Sequence, residues 1–467
     1  LQKYILYYFT TWMIPIDDLA SEVYCVQSRG PAPSLHHVPS VCCGHFPPAD
    51  SMFTYKHVRT SASCDEPSKT KMQSSSCGAA RRLTVIKRHL ICAMSASFST
   101  KNEEVLARKV GERALFVTLN RPSKLNALSM EMIDGLNDVF KNTVLKGNGV
   151  DVLLLEGAGG KAFSAGGDVA RVREAGINNE PLARTFFEEE YQLNHIIGTQ
   201  TIAPQISVWD GITMGGGVGI SVHGRYRVCT ENTLFAKPET AIGFFPDVGG
   251  SFFLSHLDGG LGLFVGMTGA RLNARDLLYC GVATHFIPSA ALESLKEDLG
   301  MFQASPGGTT VGDLLERHSR PSPSRDGCKL GSNLEDNRDA IDRCFSGQAS
   351  VADIVQALEN ENTDWSRSIL KAMQPLSPMA LKHTKKLIEL AKGKDLAACL
   401  EIEFDLCQNI VNNKDSDFYE GVRAVLVDKD RNAQWPEGAA LHDISDEAVT
   451  AKFEYIENRL NLSRNEG

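Results

Sequence analysis

Two glycine-rich stretches, GAGGKAFSAGGD (157–168) and ITMGGGVGI (212–220), each follow an apolar run that closes on glycine, VDVLLLEG (150–157) and PQISVWDG (204–211). Glycine brings no side chain, so the working groups of such a loop are its backbone N–H donors. They can cradle a phosphate, or they can point in pairs at one carbonyl oxygen. The phosphate readings fail on residue type. A dinucleotide loop needs GxGxxG; from Gly217 the chain reads GVGISV, with Val222 where the third glycine belongs and Glu239 as a lone match to the ribose acid. A P-loop would need a glycine at Leu155 and a hydroxyl at Ala162. The second chemistry stands: two N–H groups from separate loops stabilise charge that develops on a carbonyl oxygen, and glycine allows the close approach. On spacing alone, tight packing of strand against helix accounts for the same glycines.

For both loops to reach one cleft, strands must deliver them. RALFVTL (113–119) is a strand by its β-branched and apolar content, and LNRPSKLNAL (119–128) follows as a loop broken by Pro122. Ser129 is placed to cap a helix whose apolar residues Met130, Ile133, Leu136, Val139 and Phe140 follow at helical spacing. The runs 150–157 and 204–211 read as buried strands, RTFFEEEYQLNHIIG (184–198) and VGISVHG (218–224) as helices, and YRVCTENTLFAKPE (226–239) as short strands with a turn. Strands alternating with helices make the fold class α/β. Residues 301–365, with QASPGGTT and RHSRPSPSRDGCKLGSNLED, read as Pro/Gly/Ser-rich connecting loops. Helices resume near Val351, and ALKHTKKLIELA, AACLEIEFDLCQNIV and DFYEGVRAVLV carry the helical period. His195, His223 and His285 lie near these motifs without an evident partner and read as structural. Trp209 reads as core, and Asp168 as a cap of its turn or of the next helix.

The chain has 467 residues and a net charge of −9, which argues against nucleic acid as a partner. No run approaches the ~18–20 apolar residues that span a bilayer, so a soluble protein is expected. The charge is uneven. Residues 1–100 hold ten Lys and Arg against six Asp and Glu, so the remainder carries −13. No acid lies between Ser68 and Asn102, and from Met72 the chain is Ser-rich and basic. That composition fits a mitochondrial transit peptide over 72–102. Residues 1–71 show no clear period and read as a disordered leader translated upstream of the true frame, which would start at Met72 or Met94. Six of the twelve cysteines (Cys25, Cys42, Cys43, Cys64, Cys77, Cys92) fall within residues 1–102. The other six, from Cys229 to Cys407, form no CxxC pair and have no histidine at zinc spacing. A reducing compartment is expected, with no disulfide frame and no metal.

Together, LNRPSKLNALS, GKAFSAGGDV, DGITMGGGVGIS and FAKPETAIGFFPDVGG resemble the crotonase (enoyl-CoA hydratase/isomerase) superfamily. EEYQLN, GITMGGGVGISVHG and PETAIGFFPDVGGSFFL are similar to its 3-hydroxyisobutyryl-CoA hydrolase branch. The likeness runs in order from about Glu103 to Phe453, through SPMALKHTKKLI and DFYEGVRAVLVDKD. It implies a crotonase-like spiral of repeated ββα units over 103–300, followed by a linker and a helical C-terminal region over 301–467.

The resemblance also assigns roles. The N–H groups of Gly167 and Gly216 would form an oxyanion hole around the thioester carbonyl of an acyl-CoA. Hydratases of this fold use two glutamates; one falls at Gly219, which has no side chain, and the other is Glu239. Asp247 stands where hydratases carry a small residue, so Glu239 and Asp247 become the catalytic pair. Glu190 matches a further acid at the substrate, with Glu189 as its alternative in the same acidic run. CoA would lie along the backbone of Lys124, Asn126 and Ala127, its phosphates within reach of Lys382 and its neighbours Lys385 and Lys386. The implied reaction is hydrolysis of 3-hydroxyisobutyryl-CoA, with 3-hydroxypropionyl-CoA as a second substrate, in valine breakdown in the mitochondrial matrix. It uses no cofactor beyond the CoA of the substrate, and the superfamily admits a homo-oligomer. Glu239 would activate water or attack the carbonyl itself, and its neighbour Asp247 could raise the pKa of one acid of the pair. The alternatives are an enoyl-CoA hydratase or isomerase, and a non-catalytic acyl-CoA- or RNA-binding paralogue.

Overall fold

The apolar run at 152–155 has no polar residue to turn toward water. In the computed structural model it is an interior strand, fully buried, as parallel sheets require of such runs. The structure describes residues 97–98, 103–323, 327–328, 331–457 and 459–462. The 1–71 leader, Met72, Met94, most of the 72–102 targeting segment and its cysteines lie outside the described residues.

The larger sheet contains β1 (Ser97–Phe98), β2 (Val105–Val110), β3 (Ala114–Leu119), β4 (Val152–Gly157), β6 (Gln205–Trp209), β8 (Tyr226–Cys229) and β10 (His285–Phe286), in that spatial order. The smaller sheet contains β5 (Ala162–Ser164), β7 (Ile212–Met214) and β9 (Leu234–Ala236). β1, β2 and β3 pair antiparallel; every other pairing is parallel. The chain therefore climbs in repeats. A strand joins the large sheet, the next joins the small one, and a helix returns. β2 goes unsignalled by the sequence reading. Val105 and Ala107 point inward while Leu106 and Arg108 face out, and Gly111, at φ +63°, turns the chain into β3.

The helices are α1 (Met130–Val139), α2 (Val169–Ile177), α3 (Leu182–Thr199), α4 (Gly216–Val222), α5 (Gly250–Ser255), α6 (Leu261–Thr268), α7 (Ala274–Tyr279) and α8 (Leu292–Gly300). Then come α9 (Val311–His318), α10 (Arg338–Phe345), α11 (Val351–Glu361), α12 (Asp364–Met373), α13 (Pro378–Ala391), α14 (Leu396–Val411), α15 (Asp417–Val422) and α16 (Asp446–Ala451). Ser129 does cap α1, its Oγ accepting the Met132 N–H at 3.1 Å. No helix among the described residues is long and apolar enough to cross a membrane.

The stretch 301–365 is more than a connecting loop. α9 lies within it and buries Val311, Leu314 and Leu315 with Leu292, Leu295 and Leu299 of α8 against Phe116, Leu154, Ile206 and Val228 of the large sheet. Thr310 and Asp313 close the start of α9 as a capping box. The flanking Pro, Gly and Ser dilute the composition, but the spacing i, i+3, i+4 of those apolar residues is what the sheet selects. α14 packs on α3, and α13 on α5, so the C-terminal helices lie against the elements that carry the loops.

Asn126 locks the loop between β3 and α1. It sits at φ +54°, a conformation asparagine tolerates. Its Nδ2 donates to the carbonyls of Ala158 and Ala162, both at 2.9 Å, and its Oδ1 accepts the Arg121 N–H at 2.9 Å. Asn126→Ala strands three buried polar groups and adds backbone strain. The expected cost is about 2–4 kcal/mol, read as a lower midpoint in urea unfolding.

Candidate active site

Parallel strands release their loops at one edge. In the small sheet Ser164 pairs with Thr213, and Met214 with Ala236, so the chain leaving β5, β7 and β9 sets Ala165–Gly167, Gly215–Gly216 and Lys237–Glu239 side by side. Ligands of open α/β sheets bind beyond the carboxyl ends of strands. The first loop is clamped to the β3–α1 loop: Ala165 and Asp168 donate to the carbonyls of Leu125 and Leu128, and Leu128 donates to that of Gly166. Among the described residues, the Gly167 N–H between them donates to no backbone carbonyl. Gly216 opens α4, so its N–H is one of the helix-start donors without a partner in the helix. A Cβ built on Gly216 would stand 3.3 Å from the Gly167 nitrogen and 2.3 Å from Glu190 Oε1. The two glycines and Glu190 therefore share one small space.

Three acids and one base converge there. Lys237 is fully buried. Its Nζ lies 2.8 Å from Glu239 Oε1, 3.5 Å from Asp247 Oδ1, and donates to the Asp247 carbonyl at 3.0 Å. The contact with Glu239 is a close ion pair through Oε1, and Glu239 Oε2 has no hydrogen-bond partner among the described residues. Asp247 Oδ2 accepts the Tyr191 hydroxyl at 3.1 Å. Burial raises the Glu239 carboxyl to about 7, with Lys237 pulling the other way and Asp247 adding to the rise. Burial likewise raises Asp247, against the pull of Lys237. Glu190 is pushed well above its ordinary value by burial and then by the Asp247 charge. Burial favours the neutral amine of Lys237, but Glu239 and Asp247 outweigh it and hold the ammonium above its ordinary value.

The turn that carries Asp247 is held from three sides. Val248 sits at φ +56°, costly for a β-branched residue. His223 Nε2 donates to the Val248 carbonyl at 2.8 Å, and burial lowers that imidazole to about 4, so it is neutral. Glu403 of α14 accepts the N–H groups of Gly249 at 2.7 Å and Ser251 at 2.9 Å, and the Ser251 hydroxyl at 2.5 Å. Val248 fills the place of a side chain on α4: a Cβ on Gly219 would meet Val248 Cβ at 2.4 Å and Asn194 Nδ2 at 3.2 Å.

The structure sorts the other residues singled out in the sequence. Glu190 turns inward, whereas Glu189 faces α1, accepting from Asn137 Nδ2 at 3.2 Å and pairing with Lys141 at 3.7 Å. Asp168 stands at the N-cap of α2, yet its carboxylate takes Arg121 at 2.9 Å instead of capping. The Asn126 side chain is fully engaged within the loop, which leaves only its backbone for a ligand. Lys124 is exposed and Ala127 half-buried. The lysines of α13 are tied down. Lys382 donates to the Ile444 carbonyl at 2.5 Å, Lys385 to that of Ala349 at 2.9 Å, and Lys386 to Thr450 Oγ1 at 2.5 Å. Trp209 is core, donating to Ser221 Oγ at 3.0 Å. The six described cysteines are free thiols.

Two residues escaped the sequence reading. Lys237 directly follows the apolar strand β9, before Pro238 and Glu239, an odd place for a lysine. Glu403 interrupts the stripe Leu396, Leu400, Cys407, Ile410 on one helix face, and a lone acid there needs partners.

A two-sheet spiral with a glycine-lined, carboxylate-bearing cleft is the crotonase fold. Residues 114–453 match the family described as enoyl-CoA hydratase/isomerase, and the chain belongs to that family. Within it, the chain is 42% identical over 378 residues, 81% of its length and 95% of the relative's, to mitochondrial 3-hydroxyisobutyryl-CoA hydrolase of Danio rerio. It is 41% identical to the human protein of that name, over 76% of this chain and 89% of the human one. Among solved structures, a carnitinyl-CoA dehydratase from Mycobacterium thermoresistibile superposes with a TM-score of 0.69 at 32% identity, covering 77% of this chain and 99% of that one.

Two outcomes are expected. Gly219→Ala overpacks Val248 and costs about 1–3 kcal/mol, read in urea unfolding, with a lower kcat because the Asp247 turn moves. Glu403→Gln leaves one of its amide donors facing the Gly249 N–H; stability falls by about 1–3 kcal/mol while α14 stays helical by circular dichroism.

Proposed function

We propose that this chain hydrolyses the thioester of 3-hydroxyisobutyryl-CoA, releasing the hydroxy acid and CoA, as a step of valine breakdown in the mitochondrial matrix. The observation that carries the reading is the pairing of Glu239 with Asp247 in a cleft where Gly219 has neither a carboxylate nor room for one. The curated relatives that bear the hydrolase name, mitochondrial in animals, support it.

In this reading the thioester oxygen accepts the N–H groups of Gly167 and Gly216, which lie close enough to serve one atom and stabilise its developing charge. Glu239 Oε1 lies against the Lys237 ammonium, which leaves Oε2 for the water or the carbonyl carbon. As a base it takes a proton from water while the water oxygen adds to the carbonyl carbon. As a nucleophile it adds itself, and water then opens the anhydride. Either way the thiolate leaves and recovers a proton. Asp247, fixed by Tyr191, orients the water or the 3-hydroxyl, and Glu190, beside Gly216, is left for the remaining polar group. The CoA portion runs along the backbone of Lys124 to Leu128; the α13 lysines contribute little, since each already has a partner.

A hydratase reading draws on the likeness to two solved relatives, the dehydratase above and an enoyl-CoA hydratase from Rhodobacter sphaeroides with a TM-score of 0.68 at 31% identity. Hydration would have to proceed without a carboxylate at Gly219.

A paired assay separates them: thiol release from 3-hydroxyisobutyryl-CoA beside loss of the enoyl absorbance of methacrylyl-CoA. Thiol release without enoyl loss is expected, and Glu239→Gln should lower it about 10²–10⁴-fold. Enoyl loss without thiol release would sink the hydrolase reading. Glu239 works deprotonated, so kcat/KM should fall as pH drops through about 7 and level off above it; a profile flat from pH 5 to 8 would exclude Glu239 as the titrating base.

A further inference from the structure

We propose that Lys237 is the buried counter-ion of this reaction centre, the positioning residue that keeps the Glu239 and Asp247 carboxylates ionised and aligned beside the thioester. The inference rests on the hydrolase reading and names what that reading lacks, a reason for two desolvated carboxylates to stay charged side by side.

The placement is specific. β9 ends at Ala236, and the next residue sends a fully buried side chain into the space between Glu239 and Asp247. Nζ reaches a carboxylate oxygen of each acid, at 2.8 and 3.5 Å, and its donation to the Asp247 carbonyl at 3.0 Å fixes its direction. The groups around it come from every neighbouring element. α3 brings Glu190 and Tyr191, the end of α4 brings His223, the turn before α5 brings Asp247, and α14 brings Glu403 and Cys407. His223 is neutral, so among these groups Lys237 is the one cation. Four acids share it, and geometry divides them. Glu403 spreads its charge over three hydrogen bonds from Gly249 and Ser251. Glu239 and Asp247 touch the ammonium. Glu190 makes no ion pair with it, and Glu190 Oε1 has no hydrogen-bond partner. Glu190, buried and without that ion pair, is the acid whose protonated form is favoured most, and its Oε1 lies beside Gly216. Lys237 thus makes the acids unequal: it favours the ionised forms of Glu239 and Asp247, which it touches, over that of Glu190, with which it makes no ion pair.

The experiment compares wild type with Lys237→Met, which keeps the length and removes the charge, and Lys237→Gln, which keeps a donor without the charge. Two quantities are followed. One is the pH profile of kcat/KM for thiol release from 3-hydroxyisobutyryl-CoA. The other is the Glu239 carboxyl titration in ligand-free protein, by infrared difference spectroscopy with Glu239→Gln as the assignment. In both variants the acid limb and the carboxyl titration should move up by about 1–3 pH units, the reach of an opposite charge within about 6 Å. Activity at neutral pH should fall about tenfold per unit and return in alkaline buffer. A limb and a titration that stay in place, whatever the loss of kcat, would overturn the proposal and leave Lys237 a space-filling residue. If neither variant folds, Glu239→Gln gives the reciprocal measurement by NMR of ¹³C-labelled lysine. The Lys237 ammonium should then titrate lower than in wild type, and an unmoved lysine overturns the proposal. Wild type that releases no thiol would refute the hydrolase reading, while the infrared titration would still decide the role of the lysine.

Discussion

Charge taken out of water sets the terms for this site. Desolvating a carboxylate costs several kcal/mol even after relaxation, and here Glu190, Glu239 and Asp247 are all buried at the carboxyl edge of one three-stranded sheet. An ion pair at about 4 Å returns on the order of 4 kcal/mol at an effective dielectric near 20. One lysine in contact with two acids can roughly offset their desolvation, but not that of a third. The consequence is a protein whose surrounding structure must hold three acids at fixed distances from a single cation. The parallel register of β5, β7 and β9 does this for the first half of the site, because it fixes where each strand releases its loop.

The second half comes from farther along the chain. Val248 in a left-handed conformation is strained, and such strain persists only where the neighbours over-determine it. Here they do. His223 holds the Val248 carbonyl, Lys237 holds that of Asp247, and Glu403 holds the N–H groups of Gly249 and Ser251 from a helix more than 150 residues away. Phe404, beside Glu403, meets the Tyr191 ring edge-on at 6.0 Å, and that tyrosine donates to Asp247. The C-terminal helices thus complete the acid turn instead of merely covering it. This explains why the family match extends to residue 453, well past the sheets.

Much of this was legible from residue types. Mostly apolar runs marked β4 and β6, as buried parallel strands favour, and the buried Gln205 and Ser207 of β6 are hydrogen-bonded to each other and to α4 carbonyls. The glycine clusters marked the loops because only backbone donors remained to act there. The order of motifs carried the acids Glu190, Glu239 and Asp247. The failures have one physical source. Lys237, Glu403 and the clamp at Asn126 matter through partners far off in sequence, and a single chain read in order offers each only as a polar residue in an odd place. The lysines of α13 erred the other way. A basic helix face looks free in sequence, and the carbonyls of Ile444 and Ala349 that occupy it come from segments with no evident link to it. α9 was hidden by composition, since the Pro, Gly and Ser around it outnumber the three apolar residues that decide its packing.

Gly219 and Val248 show how one fold is set for one reaction. The space beyond a Gly219 Cβ is not empty; Val248 occupies it, and a carboxylate from α4 could enter only by displacing the residue next to Asp247. The Val248 side chain therefore blocks a side chain at 219 while the 247–249 turn keeps its present pose. A carboxylate at 219 needs the 247–249 turn to withdraw, while a carboxylate at 247 in its present pose needs Val248 pressed against a glycine. In the proposed reading, packing of Val248 on Gly219 keeps a second α4 carboxylate out of the site before any acid titrates. A single exchange of side chains at either position would not convert one activity into the other, because the turn, with His223 and Glu403 holding it, has to move as a unit.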